Sequence, residues 1–310
     1  MRAAAGGDAD DHDAIAITLH VRADAPAGGD GSEARPFNTL ADAMRQAADH
    51  LSRGQGTRVR LQAGVYREGP IELDLSAGQA RSTLLVIEGA DAEQVILSGA
   101  DLSSAADWKD LGDGLFSHPW TEQWGHFTYR WGPPEPLGHR REMVIVDGQP
   151  LRQMVLERYD YDGHSYDDRR GAQDIRWQYR EFLDPKTTLA PGAFGVAERA
   201  ANGAALFVKV ADPDAFRKAT VEIARRRQIL VLSDKENLVV RNLTFQHAAN
   251  DFRNVRREGP LTIGAKARNI LIEDCRFLWN NFDGLPIGGS DITQPRVANS
   301  SKALGRWSRQ

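Results

Sequence analysis

The sequence predicts a mainly β protein whose chain winds as a parallel β-helix, and three observations support this fold class. Residues 237–245 (NLVVRNLTF) are answered 32 positions later by residues 269–277 (NILIEDCRF). Apolar residues alternate in both copies, which is the period of a β-strand with one buried face. A polar corner divides each copy, Asn242 in the first and Asp274 in the second. Two strands and a corner repeated at a fixed spacing indicate coils that stack on one another.

The stacked coils predict which side chains become neighbours. Equivalent residues of adjacent coils should lie about 4.8 Å apart, the usual distance between paired strands. We therefore expect Phe245 to stack on Phe277, and Leu243 on Cys275, inside the cylinder. Cys275 is then a core residue and not a nucleophile. A coil commonly uses fewer than 32 residues, so we expect the surplus to leave as a loop at residues 251–259.

The rest of the chain supplies one helix and further short strands. The helix is expected at residues 39–48, where apolar side chains fall on one face, with Asn38 or Thr39 as its N-cap. An amphipathic helix before the first coil would cover the open end of a solenoid. Short β-branched segments predict strands at residues 58–61, 71–73, 84–87, 95–97, 206–210, 221–223 and 229–232.

These patterns divide the chain into five segments. They are a leader (1–17), an N-terminal cap with the first coils (18–102), an insertion (103–205), further coils (206–292) and an irregular tail (293–310). The insertion does not repeat, and it holds five of the seven tryptophans and five of the six tyrosines. We interpret it as a β-rich subdomain with long loops. The leader is rich in aspartate and lacks the apolar stretch of a secretory signal, so taken literally the chain is cytoplasmic.

Composition excludes several classes of protein. The chain has 39 basic and 43 acidic residues and a net charge of −4, which argues against a general nucleic-acid binder with a basic surface. The single cysteine excludes a disulfide framework and a cysteine-rich zinc site. No run approaches the 18 apolar residues that a membrane-spanning helix needs, so we expect neither a nucleic acid nor a membrane as partner.

Several stretches carry a resemblance to a known family. Residues 30–43 (DGSEARPFNTLADA) and 59–68 (VRLQAGVYRE) look like the opening of the pectate-lyase-like right-handed parallel β-helix proteins. The next coils of these proteins are similar to residues 87–102, and their repeating coils to residues 237–284. The carbohydrate-active branch with a β-rich insertion is similar to residues 191–194, 206–210 and 221–223. The resemblance spans about residues 18–290. It implies a right-handed β-helix and a secreted or periplasmic location, but not one reaction.

The family pattern breaks after Ile292. Residues 293–310 show no alternation and carry four basic residues with no acidic one. We expect a truncated or altered C-terminus, at which an edge coil would be left unpaired. If the catalytic coils of the family lie beyond this point, the chain would hold the fold without the full active site.

A pair of aspartates is the candidate catalytic site. In the repeat register Asp251 aligns with Asp283, which would set two carboxylates about 5 Å apart on adjacent coils, the separation of a retaining glycoside hydrolase. Like charges so close would raise one pKa and give an acid beside a nucleophile. The alternative interpretation is structural, because Asp and Asn are favoured at turns.

Polar residues around this pair are candidates for binding sugar hydroxyls. They are His247, Asn250, Arg253, Asn280 and Asn281. Basic residues in and after the same loop leave a polysaccharide lyase open, in which Arg or Lys would act beside a uronate and the two aspartates would hold calcium. The same charges could equally serve solubility alone.

Aromatic residues of the insertion are further candidates. Trp120 and Trp124 could stack on sugar rings, although such residues also form the core of a β subdomain. The sequence Asp160-Tyr-Asp162-Gly163 hints at a calcium loop, but an EF-hand would need glutamate where Gly171 stands. We therefore predict no metal site and no cofactor, apart from calcium if the protein is a lyase.

Taken together, the sequence predicts a carbohydrate-active β-helix protein that acts on a polysaccharide or oligosaccharide. A glycoside hydrolase with Asp251 and Asp283 as acid/base and nucleophile is the first hypothesis. A pectate-lyase-like polysaccharide lyase is the second, and a non-catalytic carbohydrate-binding or structural β-helix is the third. The residues do not identify the substrate or the oligomeric state.

Overall fold

A computed structural model describes residues 14–122, 141–161, 177–198, 203–250, 259–264, 266–281, 284–285 and 296–297. Within these residues the protein is mainly β. The chain divides into two compact units, unit 1 from residues 1–100 and 225–310 and unit 2 from residues 101–224. None of the described helices has the length and apolar character that crossing a membrane requires.

Strands dominate the secondary structure of the described residues. The helices are α1 (Leu40–Ser52), α2 (Pro185–Thr188) and α3 (Pro213–Phe216), with a 3-10 turn at Ala105–Asp107. The strands are β1 (Ile17–Val21), β2 (Thr57–Leu61), β3 (Gly64–Tyr66), β4 (Ile71–Glu72), β5 (Leu85–Gly89), β6 (Val95–Ser98), β7 (Ala100–Ser103), β8 (Lys109–Asp110), β9 (Leu115–Pro119), β10 (Val144–Val146), β11 (Gln149–Pro150), β12 (Arg152–Gln153), β13 (Glu157–Tyr161), β14 (Trp177–Phe182), β15 (Ala193–Ala197), β16 (Ala205–Lys209), β17 (Val221–Ala224), β18 (Leu230–Val231), β19 (Glu236–Arg241), β20 (Thr244–Gln246), β21 (Leu261–Thr262), β22 (Arg268–Glu273), β23 (Arg276–Leu278) and β24 (Arg296–Val297).

Unit 1 contains three sheets whose described strand pairs are all parallel. Sheet 1 has the order β1-β2-β5-β19-β22-β24, sheet 2 the order β3-β6-β20-β23, and sheet 3 the order β4-β18-β21. From β2 to β6 the chain visits sheets 1, 2, 3, 1 and 2 in turn. After unit 2 it resumes at sheet 3 with β18 and keeps the same order to β23, and the next described strand, β24, lies in sheet 1. Each sheet thus gains one strand whenever the chain passes through the series.

The predicted stacking of the two repeats is confirmed. Leu238 pairs with Ile270 in sheet 1, and Phe245 pairs with Phe277 in sheet 2. The two phenyl rings are parallel to within 7°, with centroids 5.2 Å apart, close to the usual distance between paired strands. Phe245 is fully buried. Residues far apart in sequence are therefore neighbours in the core of unit 1.

Left-handed residues recur at the same points of successive passes through the sheets. A positive φ is uncommon outside glycine, and Asn and Asp tolerate it best. The pairs, each 32 positions apart, are Asn237 and Asn269 (51° and 53°), Asn242 and Asp274 (56° and 48°), and His247 and Trp279 (60° and 52°). The first pair is linked directly, since the Nδ2 of Asn269 donates to the Oδ1 of Asn237 at 2.8 Å.

Helix α1 lies near the start of unit 1, as the sequence predicts. Thr39 is its N-cap, and the Thr39 hydroxyl accepts a hydrogen bond from the backbone N–H of Asp42 at 3.1 Å. The carboxylate of Glu68 accepts two more, from the N–H groups of Leu40 at 2.8 Å and Ala41 at 3.0 Å. Otherwise unpaired donors of the first turn are thus satisfied by side chains. The buried residues of the helix are Leu40, Ala43, Met44, Ala47 and Leu51.

Unit 2 contains two larger sheets and a hairpin. Sheet 4 has the order β7-β17-β10-β11, sheet 5 the order β8-β9-β16-β15-β12, and β13 pairs with β14. Strand β16 is antiparallel to both β9 and β15, whereas β12 and β15 are parallel. Val144 and Ile223 from sheet 4 share one apolar core with Phe116, Phe194 and Leu206 from sheet 5. The two sheets therefore pack on each other through their apolar faces.

The end of unit 2 differs from the predicted insertion. The sequence predicts an insertion over residues 103–205 and coils from residue 206, whereas unit 2 extends to residue 224. Strands β16 and β17 belong to sheets 5 and 4 of unit 2, with antiparallel neighbours. The sequence pattern of a short β-branched strand is the same whether the neighbouring strand is parallel or antiparallel. The pattern therefore predicts the strands but not the sheet to which each belongs.

Candidate functional site

A groove of about 460 Å³ opens on unit 1. Strands β2, β5, β19 and β22 of sheet 1 and the residues that follow them supply its walls. The lining residues are Arg58, Arg60, Glu88, Gly89, Ala90, Arg241, Asn242, Glu273 and Asp274. Six of these nine residues are charged, so a ligand in the groove would meet ions and hydrogen-bonding groups rather than an apolar surface.

The register of sheet 1 brings these charges together. Arg60 lies opposite Glu88, Glu88 opposite Arg241, and Arg241 opposite Glu273 on four neighbouring strands. Because paired strands lie about 4.8 Å apart, opposite charges alternate along a line across the sheet. Arg241 and Glu273 occupy the same position of the two sequence repeats.

Glu88 is the centre of an ion network in the groove. It is 8% exposed, and its Oε2 accepts hydrogen bonds from Arg241 Nε at 3.0 Å and Arg241 Nη2 at 2.8 Å. The Nε atoms of Arg58 and Arg60 lie 3.6 Å and 3.8 Å from its Oε1. A charged group sheltered from water is stabilised when it is paired and hydrogen-bonded. Three guanidinium groups thus surround a single carboxylate.

The two ends of the groove carry opposite charge. Arg58, Arg60 and Arg241 against Glu88 leave a formal charge of +2 at one end, and Glu273 with Asp274 gives −2 at the other. The side chain of Arg60 is 56% exposed, whereas that of Arg58 is 12% exposed. Within the described part of the chain, the Nε and Nη2 of Arg58 make no hydrogen bond. The basic end therefore holds more donors than Glu88 uses.

Four of the predicted sugar-binding residues meet at a second place in unit 1, which we call the asparagine turn (residues 247–250 and 279–281). The side-chain amide of Asn280 accepts from the N–H of Ala248 at 2.9 Å and donates to the carbonyl of Phe245 at 3.2 Å. The Nδ2 of Asn281 donates to the carbonyl of Asn250 at 2.9 Å. These amides hold successive passes of the chain together.

The other two predicted residues of the asparagine turn are buried. His247 is 2% exposed and Asn250 is not exposed at all. Asn280 and Asn281 are half-buried and retain surface that a ligand could contact. Sugar binding at this turn stays a prediction, with the two later asparagines as its accessible members.

Trp279 belongs to the same turn and was not among the residues predicted to bind sugar. Its side chain is 47% exposed, which is unusual for tryptophan, and its φ is +52°. A bulky residue in the left-handed region costs about 1–3 kcal/mol, and such residues concentrate at functional sites. Trp279 could have been found from the sequence, because it lies 32 positions after His247 and so occupies the same place in the next repeat.

Trp120 lies in unit 2, in the core. It is 4% exposed and belongs to the apolar cluster that contains Trp108 and Phe116. This is the packing role that the sequence left open for the aromatic residues of the insertion. Stacking of a sugar on Trp120 would require its neighbours to move away.

The remaining predicted residues lie outside the described part of the chain. These are Asp251, Asp283, Arg253 and Trp124, together with Asp162 and Gly163 of the considered calcium loop. Among the described residues, no group of three or more His, Cys, Asp or Glu side chains is arranged to hold a metal ion.

Cys275 has the environment that its predicted core role requires. It packs against the apolar core of unit 1, and its Sγ donates to the carbonyl of Val240 at 3.6 Å. Burial raises the pKa of the thiol to about 12, with Asp274 and Glu273 adding to the effect. The thiolate that a nucleophile needs is therefore disfavoured.

Comparisons with known proteins match the fold and not the sequence. No protein-family model matches the chain, and no curated protein sequence does. Among solved structures, one titled "Glycoside hydrolase" superposes with a TM-score of 0.55 at 13% identity and covers 87% of this chain. The structure of XylC with xylose superposes with a TM-score of 0.52 at 15% identity and covers 83% of this chain.

Both solved structures are longer than the matched region. The match spans 63% of the glycoside hydrolase and 40% of XylC. At these identities the likeness concerns the arrangement of the backbone, so residue roles do not transfer from either protein.

Proposed function

We propose that the chain is part of a carbohydrate-active protein that binds a polysaccharide or oligosaccharide, and that unit 1 is a right-handed parallel β-helix of the pectate-lyase-like type. The repeated order of three parallel sheets and the stacked Phe245 and Phe277 support this architecture. The likeness to XylC, which was solved with xylose, and to a glycoside hydrolase favours sugar as the ligand.

The asparagine turn is the single observation that carries this function. It combines half-buried amides at Asn280 and Asn281 with the exposed indole of Trp279. Sugars need hydrogen-bonding groups for their hydroxyls and a flat apolar surface for the faces of their rings, and Trp offers such a surface with little loss of entropy. Because both amides are tied to the backbone of the preceding pass, the turn is held in one conformation.

Hydrolysis of a glycosidic bond is the reaction we propose. It needs one carboxyl group as acid and a second as nucleophile or base, and no cofactor. Asp251 and Asp283 follow the two sides of the asparagine turn in sequence and remain the candidates for these roles. Asp251 and Asp283 are 32 positions apart in sequence, the same spacing that separates the stacked Phe245 and Phe277. This spacing supports their placement on adjacent passes of the chain.

Binding without catalysis is a second candidate, and one observation favours it. Glu88, a sheltered carboxylate of the groove, is engaged by Arg241 through two hydrogen bonds. Because Arg241 already occupies its Oε2, Glu88 and its arginines suit recognition of a ligand better than attack on one.

A product assay separates these functions. The protein is incubated with neutral and uronic-acid polysaccharides, and we expect new reducing ends without ultraviolet absorbance, as hydrolysis requires. Absorbance of an unsaturated uronate would instead show a lyase, and retention on a polysaccharide gel without products would show binding alone.

Substitution of the aspartates tests the catalytic pair. Asp251→Asn and Asp283→Asn should each lower turnover at least a thousandfold and leave polysaccharide affinity within about twofold, because a lost acid or nucleophile affects the reaction and not the ground state. Asp49→Asn, at an exposed position of α1, is the matched control. Full activity of the double variant would refute this assignment.

A further inference from the structure

We infer that the groove on sheet 1 is a binding site for the oxyanion substituent of an acidic glycan, a carboxylate or a sulfate ester, held at the end formed by Arg58 and Arg60. The site is separate in sequence from the asparagine turn and from Asp251 and Asp283. The inference rests on the proposed function only in taking the ligand to be a glycan.

The guanidinium groups decide the sign of the ligand charge. Glu88 already satisfies Arg241 through two hydrogen bonds, while Arg58 and Arg60 approach it only at 3.6 Å and 3.8 Å, beyond hydrogen-bond length. Glu88 therefore offsets only one of the three positive charges at this end, and the other two are balanced only by Glu273 and Asp274 at the opposite end of the groove. Guanidinium groups match the geometry of carboxylate and sulfate oxygens, and such bonds are among the stronger ones in proteins.

The accessible donor at this end is Arg60. Its side chain is 56% exposed, so its guanidinium can turn from Glu88 towards a ligand, whereas Arg58 is held mostly below the surface and contributes mainly its charge. An oxyanion between the two would add a hydrogen-bonded partner without displacing the bonds between Arg241 and Glu88.

The acidic end fixes the direction of the ligand. Glu273 and Asp274 repel an oxyanion, and as acceptors they favour the hydroxyl groups of a sugar. Asn242 and the small residues Gly89 and Ala90 lie in the same lining and leave room for the ring. The volume of about 460 Å³ falls within the range of ordinary ligand sites. The groove therefore accepts a sugar whose anionic substituent points to the β2 side.

The test compares glycans that differ in charge. Binding of the whole protein to polygalacturonate, to a sulfated galactan and to an uncharged galactan is measured by calorimetry at low and moderate salt. We expect an acidic glycan to bind at least tenfold more tightly than the neutral one, with an advantage that shrinks as salt screens the charges. Which of the two acidic glycans binds identifies the oxyanion.

Two substitutions of opposite effect test the site itself. Arg60→Gln should weaken binding of the acidic glycan about tenfold, through loss of a charge-assisted hydrogen bond. Asp274→Asn should strengthen it about two- to threefold by removing repulsion, and asparagine tolerates the positive φ of this position. Neither residue is buried, so both variants should fold. Arg268→Gln and Asp49→Asn make the same charge changes at exposed positions outside the groove.

The outcomes for this site and for the proposed function are distinct. Equal binding of neutral and acidic glycans, or equal effects of Arg60→Gln and Arg268→Gln, would overturn the groove as an oxyanion site and leave carbohydrate activity standing. If no glycan binds and none is cleaved, the proposed function fails, and the oxyanion site fails with it.

Discussion

Lys235 carries an ammonium group into the interior of unit 1. The side chain is fully buried, and its Nζ donates to the carbonyl oxygens of Arg81 at 2.8 Å, Thr83 at 2.5 Å and Glu236. Burial lowers the pKa of Lys235 to about 8, and the carboxylate of Glu236 acts in the opposite direction. The residue ties the segment before β5 to the start of β19, which lie more than 150 positions apart in sequence.

At the scale of this residue we expect stability to rise with pH. The pKa of Lys235 in the folded protein lies below the ordinary value of 10.5, so between pH 8 and pH 10.5 the unfolded chain binds more protons than the folded one. The free energy of unfolding then increases with pH in that window. Relative to Lys235→Met, the native protein should gain about 2 kcal/mol between pH 7 and pH 10 in urea unfolding.

Lys266→Met is the control for this measurement, because Lys266 is exposed. The difference between the native protein and this variant should stay nearly constant over the same pH range. If the difference in free energy of unfolding between the native protein and Lys235→Met also stays constant, or falls as the pH rises, the ammonium group of Lys235 is not buried in solution.

Single residues also show what the sequence could and could not reveal. The stacking of Phe245 on Phe277 followed from the repeat alone, since both phenylalanines occupy the same position in it. The ion network could not be predicted in the same way. Arg241 and Glu88 are 153 positions apart, and Glu88 lies outside the repeat, so only the pairing of β5 with β19 makes them neighbours.

Helix α1 shows how one element depends on a distant side chain. Both carboxylate oxygens of Glu68 accept N–H groups at the start of the helix, from Leu40 and Ala41. Burial raises the pKa of Glu68, and these two hydrogen bonds oppose the rise. The sequence predicted the helix and offered Asn38 or Thr39 as its N-cap, of which Thr39 is the one observed, because such caps are local signals; nothing local indicated a second cap from residue 68.

For this element we predict that Glu68→Gln lowers the free energy of unfolding by about 1–2 kcal/mol. The amide nitrogen of glutamine cannot accept the hydrogen bond that the second carboxylate oxygen accepts, and a buried donor is left without a partner. Urea unfolding at pH 7 measures the loss. Glu72→Gln, at an exposed position of β4, should change stability by less than 0.5 kcal/mol; equal losses in both variants would contradict the capping role.

At the scale of the whole molecule, the two units have separate apolar cores. Phe245 belongs to the core of unit 1, and Phe116, which is 2% exposed, to that of unit 2. Truncating a buried phenylalanine to alanine costs about 3–5 kcal/mol. We therefore expect Phe245→Ala to lower the melting temperature of one calorimetric transition and Phe116→Ala to lower that of another. A single transition shifted equally by both variants would show that the units unfold as one.

The division of the chain was only partly readable from the sequence. The absence of repeats led us to expect an insertion from residue 103, and unit 2 covers residues 101–224. Its end was placed nineteen residues early, because β16 and β17 resemble coil strands in length and composition. Alternation reports which face of a strand is buried, whereas membership of a sheet depends on contacts that no short window contains.

The left-handed residues at 237, 242 and 247, and their counterparts at 269, 274 and 279, are each separated by five positions. The number of residues between two corners is therefore the constrained feature of these repeats. The identity of most residues between the corners is less constrained. Deleting one residue between Asp274 and Phe277 would shift the register of β23 by one residue and turn the ring of Phe277 away from the core. We therefore expect related sequences to differ between these corners by substitutions and hardly ever by insertions or deletions.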